Sequence, residues 1–374
     1  MKIAVLSAHT SSLFWFRMDM MKEFIKNGHS VIALGSEPET EWKEKFGEHN
    51  IDYRQLYVNR NGINPLNDLR TFMELHKFMK KERPEKVFVY QAKTVVYGSI
   101  AAKLNGISEV YPLIAGLGSI FRGSGIKNSI VKNILKIQYW VACKCSKKVF
   151  FQNHDDKNEF IQNGLIKEDR VVIINGSGVN LNNFKPTPFP DVPTFLFIGR
   201  LIKDKGIIEY LEACKEVKER YPHVRCLLVG PYDSNPSAIK PEELVPYIDR
   251  GGIEYFGEQS DVRPFIAQCS TYVLPSYHEG TPKTVLEAMA MGRSIITSDA
   301  PGCRETVTDG ANGYLVKVKD IRGLVDSMEY LILNPDKSNT MGTASEELAK
   351  EKYDVRIVNK EIIKNMEITV VEEN

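Results

Sequence analysis

The sequence predicts an α/β protein of two doubly wound, parallel-sheet domains, and three observations carry that prediction. Short apolar runs alternate with amphipathic stretches from the first residue onward, the rhythm of strands covered by helices on both faces. The run FKPTPFPDVP (Phe184–Pro193) sets four prolines in ten residues and interrupts that rhythm, which then restarts. Proline fixes φ and removes a backbone donor, so the run reads as a linker. Finally, 374 residues exceed one ordinary core and suit two domains of roughly 150–200 residues each.

In the first half, Ile3–Leu6 reads as a buried strand, followed by a helix near Phe14–Lys26 and a strand over Ser30–Leu34. Further strands are predicted at Tyr53–Val58, Lys86–Tyr90, Glu109–Ile114, Lys148–Phe151 and Val171–Ile174. Helical patterns over Leu66–Lys81, Val96–Leu104 and Lys127–Val141 lie between them. After the proline run come strand Thr194–Ile198, helix Gly206–Arg220, strands Val224–Val229, Ile253–Phe256 and Thr271–Leu274, helix Thr281–Met291 and strand Ser294–Thr297. Asp320–Leu333 and Ser338–Met366 read as helices. In such sheets ligands bind at the carboxyl ends of the strands.

Composition narrows the function classes. Hydrophobic residues make up 43% and charged residues 26%, the balance of a globular protein. A net charge of +1 points neither to nucleic acid nor to an acidic partner. Of the six cysteines only Cys143 and Cys145 are close, and Cys-x-Cys without a second pair is not a zinc ligand set. Reduced cytoplasmic thiols are the expectation. MKIAVLSAHT has no long apolar run after its lysine and does not read as a signal peptide. No stretch approaches the ~18 consecutive apolar residues of a spanning helix, so the chain reads as soluble or peripheral.

The strongest local signal is Tyr277-His278-Glu279-Gly280-Thr281-Pro282-Lys283-Thr284-Val285-Leu286-Glu287-Ala288, directly after an apolar strand. Glu279 stands at a strand-to-helix turn, where a carboxylate can accept hydrogen bonds from sugar hydroxyls. Glu287 lies further into the helix, suited to a ribose diol. Gly280 leads into a helix N-terminus that favours an anionic phosphate. The same spacing also suits a capped amphipathic helix with a solvated Glu287. A second signal is Gly199-Arg200 followed by Lys205-Gly206 between a strand and a helix. Arginine offers a fork and lysine a point charge to phosphate oxygens, although a strand end with surface cations has the same pattern.

Gly116-Leu117-Gly118-Ser119 lacks the third glycine of the dinucleotide fingerprint, and there is no Gly-Lys-Ser/Thr phosphate loop, Gly-x-Ser-x-Gly elbow or His-Glu-x-x-His helix. No Asp-x-Asp pair is present to hold a divalent cation on a diphosphate, so no metal and no cofactor are expected. Between Glu109 and Asp155 no acidic residue occurs, whereas Arg122, Lys127, Lys132, Lys136, Lys144, Lys147 and Lys148 do. Ile126, Ile130, Ile134, Leu135, Ile137 and Trp140 interleave with them. Such a segment suits either an anionic membrane surface or a core-facing helix with a solvated lysine face.

Taken together these residues resemble retaining glycosyltransferase family 4, whose fold is GT-B, two Rossmann-like domains facing a central cleft. Glu279 and Glu287 meet its Glu-x₇-Glu signature, and Gly199, Arg200, Lys205 and Gly206 its Gly-Arg-x₄-Lys-Gly. Asn175–Asn180 with Phe184, Gly302–Glu305 and Asp309–Leu315 also agree with the family pattern. Gly116–Ser119, the Asp233-x-Asn235-Pro236-Ser237 block and Leu274–Tyr277 are similar to the branch that acts on undecaprenyl-diphosphate-linked sugars, including bacterial N-acetylgalactosaminyltransferases.

The resemblance implies an acceptor-binding domain over 1–186, a nucleotide-sugar-binding domain over 187–352, and a C-terminal helix, 353–374, placed to pack back on the first. It implies that Glu279 contacts the donor hexose, that Arg200 and Lys205 bind the diphosphate, and that Glu287 takes the ribose. Thr281, Pro282 and Lys283 would then line the phosphate and Gly257 would lie against the base. The histidine that many members carry after the fifth strand is missing from Ala115–Ser119, leaving His9, Gly116, Gly118 and Ser119 as acceptor-side candidates. Arg122, Lys127, Lys132, Lys136 and Trp140 are the membrane-contact candidates. The implied activity is transfer of a hexose or N-acetylhexosamine from a UDP-sugar to a lipid-diphosphate-linked saccharide at the inner face of the cell membrane. An epimerase of the same fold, or a non-catalytic nucleotide-sugar-binding module, is the alternative.

Overall fold

The computed structural model describes residues 1–58, 64–117 and 126–370, the side chains of 126–128 excepted. The chain divides into two compact units, Met1–Ser177 with Val355–Asn374, and Gly178–Asp354. Each is an α/β unit around a parallel sheet, as the alternating pattern predicts.

The first unit runs β1 (Lys2–Ser7), α1 (Thr10–Lys26), β2 (Ser30–Gly35), α2 (Glu39–Gly47), β3 (Ile51–Gln55), α3 (Pro65–Glu82), β4 (Lys86–Tyr90), α4 (Ala92–Leu104), β5 (Val110–Ile114), α5 (Ile126–Lys144), β6 (Val149–Phe151), α6 (His154–Gln162) and β7 (Val171–Ile173). Among the described residues its strands form one sheet in the order β3-β2-β1-β4-β5-β6-β7. Every residue of β4 and β5 is buried, which is why these strands read as continuous apolar runs rather than alternating ones. Helix α3 starts where the Asn64 side chain accepts from Leu66 N at 3.0 Å, with Pro65 in its first turn. Helices α2 and α6 escape sequence reading because they are short and mostly polar; Asn153 caps α6 through Asp156 N at 2.7 Å.

The second unit contains β8 (Thr194–Ile198), α7 (Ile207–Arg220), β9 (Arg225–Val229), α8 (Pro241–Asp249), β10 (Ile253–Tyr255), α9 (Arg263–Gln268), β11 (Thr271–Leu274), α10 (Lys283–Ala290), β12 (Ser294–Ser298), β13 (Gly313–Val316), α11 (Ile321–Leu333) and α12 (Pro335–Lys352). Its sheet order is β10-β9-β8-β11-β12-β13. The predicted long C-terminal helix is broken: α12 ends and α13 (Val355–Asn365) begins beyond Asp354, which bridges Val179. Val358, Ile362 and Met366 are buried in the same core as Met21 and Phe24 of α1, so α13 belongs to the first unit.

The division falls at Ser177–Gly178, so the boundary expected at 186/187 is displaced and the proline run lies inside the second unit. Arg293, whose side chain is fully buried, ties the run to that unit. Its guanidinium donates to Ile266 O at 3.0 Å, to Pro188 O at 3.2 Å and to Thr187 Oγ1, and lies 5.8 Å from the Phe189 ring centroid. A buried guanidinium needs acceptors for its donors, and the proline run supplies two of them, the Pro188 carbonyl and the Thr187 hydroxyl, beside the Ile266 and Ala267 carbonyls.

Candidate functional site

Topology locates a site in the second unit before any side chain is considered. From β8 the chain winds outward one way to β9 and β10, then returns to place β11, β12 and β13 on the other side. The order reverses between β8 and β11, and in open α/β sheets ligands bind at the carboxyl ends of the strands at such a switch point. The loops after these two strands are Gly199–Gly206 and Pro275–Pro282, the segments that the sequence singles out.

Glycines let the two loops approach. Gly206 takes φ +74°, and a Cβ there would overlap the carbonyl of Pro275; only glycine meets both demands without strain. Tyr277 N donates to Asp204 O at 2.9 Å and Ser276 Oγ to the same carbonyl at 3.2 Å, lacing one loop to the other. Gly302 (φ +79°) supports the second loop from below, since a Cβ would strike the carbonyls of Glu279 and Gly280.

This frame brings Arg200, Lys205, Glu279 and Glu287 into one unit and gives the first three defined partners. Lys205 Nζ pairs with Glu279 Oε1, which also accepts from Ser276 Oγ at 2.8 Å. Arg200 NH1 pairs with Asp233 Oδ2 at 2.8 Å. Ser276 and Asp233 are contacts that sequence reading missed as site residues, because nothing in local spacing says which loop folds over which. Thr281, Pro282 and Lys283 lead into α10, where Pro282 supplies no side-chain cap to the first turn. Thr284 Oγ1 lies 2.6 Å from the Tyr272 hydroxyl, which fixes α10 on β11. Gly199 sits against Gly230 at the end of β9, and Gly257 (φ +65°) accepts from Gly230 N at 2.8 Å. All of these lie at the carboxyl edge of the sheet.

Glu287 is not the solvated residue that the amphipathic pattern also allowed. It is 7% exposed, and among the described residues no side chain or N–H donates to its carboxylate. Burial pushes its pKa up to about 7, opposed by Lys283 and reinforced by Asp261. A buried carboxylate with unused acceptor capacity suits a pair of ligand hydroxyls.

The corresponding edge of the first unit, between β1 and β4, is built differently. Ser12 Oγ lies 3.1 Å from Ser7 Oγ and 2.9 Å from the Tyr90 hydroxyl, and accepts from Gln91 Nε2 at 3.1 Å. His9 Nδ1 is 2.7 Å from Ser11 Oγ and 3.6 Å from Glu37 Oε1. Arg17, buried, lies 5.3 Å from the Tyr90 ring centroid, and burial lowers its pKa to about 10. Of the remaining acceptor-side candidates, Gly116 takes φ +100°, whereas Gly118 and Ser119 lie outside the described residues.

The basic segment also resolves into parts. Lys147 pairs with Glu109 and Glu367, Lys148 donates to Asn365, and Lys132 is 3.9 Å from Glu159. Lys136 donates to Asn163. On α5, Tyr139, Ala142 and Cys143 enter the core, but Ile130, Ile134, Ile137 and Trp140 are exposed. Arg122 and the Lys127 side chain lie outside the described residues. Among the described residues no helix is long and apolar enough to cross a membrane.

With this geometry in place, comparison with known proteins identifies its relatives. Residues 2–153 match the family described as glycosyl transferase 4-like, and residues 192–334 match glycosyl transferases group 1. The chain is 29% identical over 346 residues to the N,N'-diacetylbacillosaminyl-diphospho-undecaprenol alpha-1,3-N-acetylgalactosaminyltransferase of Campylobacter jejuni, covering 89% of each chain. It is 25% identical to the UDP-Gal:alpha-D-GlcNAc-diphosphoundecaprenol alpha-1,3-galactosyltransferase of Escherichia coli, covering 71% of each. Among solved structures, Anabaena HepE in complex with UDP superposes with a TM-score of 0.78 at 18% identity, covering 99% of this chain and 100% of that one. That likeness is one of fold.

Proposed function

We propose that this chain, a glycosyltransferase belonging to the glycosyl transferase 4-like and group 1 families and having the GT-B fold, transfers a hexose or N-acetylhexosamine from a UDP-sugar. The acceptor is a polyprenyl-diphosphate-linked saccharide, and the product contributes to a bacterial surface polysaccharide or glycan. Transfer retains the anomeric configuration. The observation that carries this reading is the set of Arg200, Lys205, Glu279 and buried Glu287 on the loops and helix that follow β8 and β11. A diphosphate needs cations, its sugar needs acceptors, and its ribose needs a diol clamp.

In this reading the diphosphate displaces the Glu279 carboxylate from Lys205, freeing Glu279 to receive the hydroxyls of the hexose. The bond between the anomeric carbon and the diphosphate breaks as the acceptor oxygen bonds to that carbon, and the acceptor's proton leaves with the UDP or passes to solvent. Arg200, Lys205 and the N-terminal turn of α10 with Lys283 stabilise the charge that develops on the departing UDP, without a divalent cation. Glu287 binds the ribose, Gly257 lies against the base, and the His9 and Gly116 loops face the acceptor.

The relatives named above act on undecaprenyl-diphosphate-linked substrates, which supports a lipid-borne acceptor here. The exposed apolar stripe of α5, with Lys132 and Lys136 beside it, favours docking at the inner face of the cytoplasmic membrane. It also favours a transferase over an epimerase, since an enzyme working on the sugar nucleotide alone needs no lipid surface. The test is incubation of the purified protein with a panel of UDP-sugars and a polyprenyl-diphosphate sugar, reading both transfer and donor hydrolysis. Neither activity across the panel would sink the reading. Ile134→Asp with Ile137→Asp should reduce sedimentation with anionic vesicles while leaving UDP binding unchanged; undiminished sedimentation would remove the membrane-docking role of α5.

A further inference from the structure

We propose that Asp233 is a positioning residue of the donor site: it holds one corner of the Arg200 guanidinium so that the remaining N–H groups point at the diphosphate. This rests on the reading of Arg200 as a diphosphate ligand.

Arg200 and Lys205 are held in different ways. Lys205 is paired with Glu279, itself a sugar-binding candidate, so that pair exchanges when donor enters. Asp233 belongs to the loop between β9 and α8, and the loop fixes it before any ligand arrives. Its Oδ1 accepts from Asn235 N at 2.7 Å, and Asn235 Oδ1 accepts from Ser237 N and Ser237 Oγ, each at 2.9 Å. The loop is in turn fastened to the strand end that carries Arg200. Leu201 N donates to Pro231 O at 3.0 Å, Lys203 N to Ser237 O at 2.8 Å and Ile239 N to Leu201 O at 2.9 Å, while Ile202 bridges Ala238.

Asp233 therefore presents its other oxygen, Oδ2, to Arg200 NH1 at 2.8 Å from a rigid mount. The side chains differ accordingly: Asp233 is 15% exposed and Arg200 36%. A guanidinium has five N–H donors in a planar fork, so one contact at NH1 leaves the rest of the fork for phosphate oxygens. It also fixes the plane in which a bidentate pair must form. Without the anchor, Arg200 would have to be ordered by the ligand itself, at an entropic cost drawn from binding.

The test is a double-mutant cycle of Asp233→Ala and Arg200→Ala, with UDP and uridine binding measured by calorimetry and the melting temperature followed in parallel. Asp233→Ala should weaken UDP about tenfold, as expected for loss of one partner of a coupled pair. Uridine, which has no diphosphate, should bind as before. In the Arg200→Ala background, adding Asp233→Ala should change UDP affinity by less than about twofold, because the residue it positions is gone. In turnover, Asp233→Ala should raise KM for the UDP-sugar and leave KM for the acceptor unchanged. Asn235→Ala, which loosens the loop but keeps the carboxylate, should give a smaller loss and serves as the folded control if Asp233→Ala is unstable.

Equal losses of UDP in both backgrounds, equal weakening of UDP and uridine, or no loss at all would each overturn the proposal. A UDP loss from Asn235→Ala matching that of Arg200→Ala would overturn it too, by assigning the effect to the loop. If Arg200→Ala itself leaves UDP binding intact, the diphosphate reading fails instead, and the two failures are told apart by that single variant.

Discussion

The strand-end edges of the two sheets share a topology and differ in chemistry. In the second unit the loops after β8 and β11 carry ion pairs, Arg200 with Asp233 and Lys205 with Glu279. In the first unit the ends of β1 and β4 and the start of α1 carry a hydroxyl and amide network of Ser7, Ser12, Tyr90 and Gln91, with His9 and Glu37 beside it. The nearest buried cation there, Arg17, is turned onto the Tyr90 ring. The difference teaches what each edge can receive. A charged diphosphate is worth its desolvation only where fixed opposite charges meet it, whereas a neutral sugar is matched by groups that both donate and accept.

Breaking the charged edge should produce the largest effect. Arg200→Ala is expected to lower kcat/KM for the UDP-sugar by about 10² to 10³, the range for loss of one donor to a developing anion. Steady-state kinetics checks this, and an effect below about threefold would remove Arg200 from the diphosphate site.

Titration of Glu287 comes next. Its pKa is raised to about 7, so the ionised form that accepts from a diol is fully present only above that value. UDP affinity should therefore fall as pH drops below 7, approaching about tenfold per unit, and Glu287→Gln should flatten the profile. The same shift has a stability consequence of opposite sign. The unfolded carboxyl ionises from its ordinary value near 4.5 upward, so the raised folded pKa costs stability progressively between that value and 7 and fully above it. Glu287→Gln should thus raise the melting temperature at pH 8 and change it little at pH 4.

Gly206→Ala sharpens the role of the frame. With φ +74° and the Pro275 carbonyl in the way, a methyl group should cost about 1–3 kcal/mol of stability, read by urea unfolding. It should also weaken UDP by displacing Lys205.

The smallest expected effect tests the hydroxyl network of the first unit. Ser12→Ala removes the hydroxyl that joins Ser7, His9 O, Tyr90 and Gln91 and should raise KM for the acceptor about fivefold, the worth of one neutral hydrogen bond of ~1 kcal/mol. KM for the UDP-sugar should not move. A donor effect equal to the acceptor effect would erase the distinction between the two edges.

Much of the fold and part of the site were legible because they depend on local periodicity. β4, β8 and β11 fall on the residues predicted, since strands buried on both faces are unbroken apolar runs. Helices α2, α6, α8 and α9 did not stand out, being nine residues or fewer in each case, too short to show a 3.6-residue period against polar neighbours. The Glu279/Glu287 and Arg200/Lys205 spacings were legible because each pair spans one strand-to-helix junction.

What the sequence by itself determined is the succession of strands and helices, the two-domain α/β class, and the residue types offered at two strand ends. Tertiary structure alone decided which of those residues are buried and what holds them. Arg200 and Asp233 are 33 residues apart in the chain, Lys205 and Glu279 74, and Arg293 and Thr187 106. No periodicity reaches that far. The carboxylate that holds Arg200 arrives when β8 pairs with β9, and α10, which carries Glu287, and Arg293 arrive when β11 pairs with β8 and β12, because parallel pairing joins segments that sequence order keeps apart.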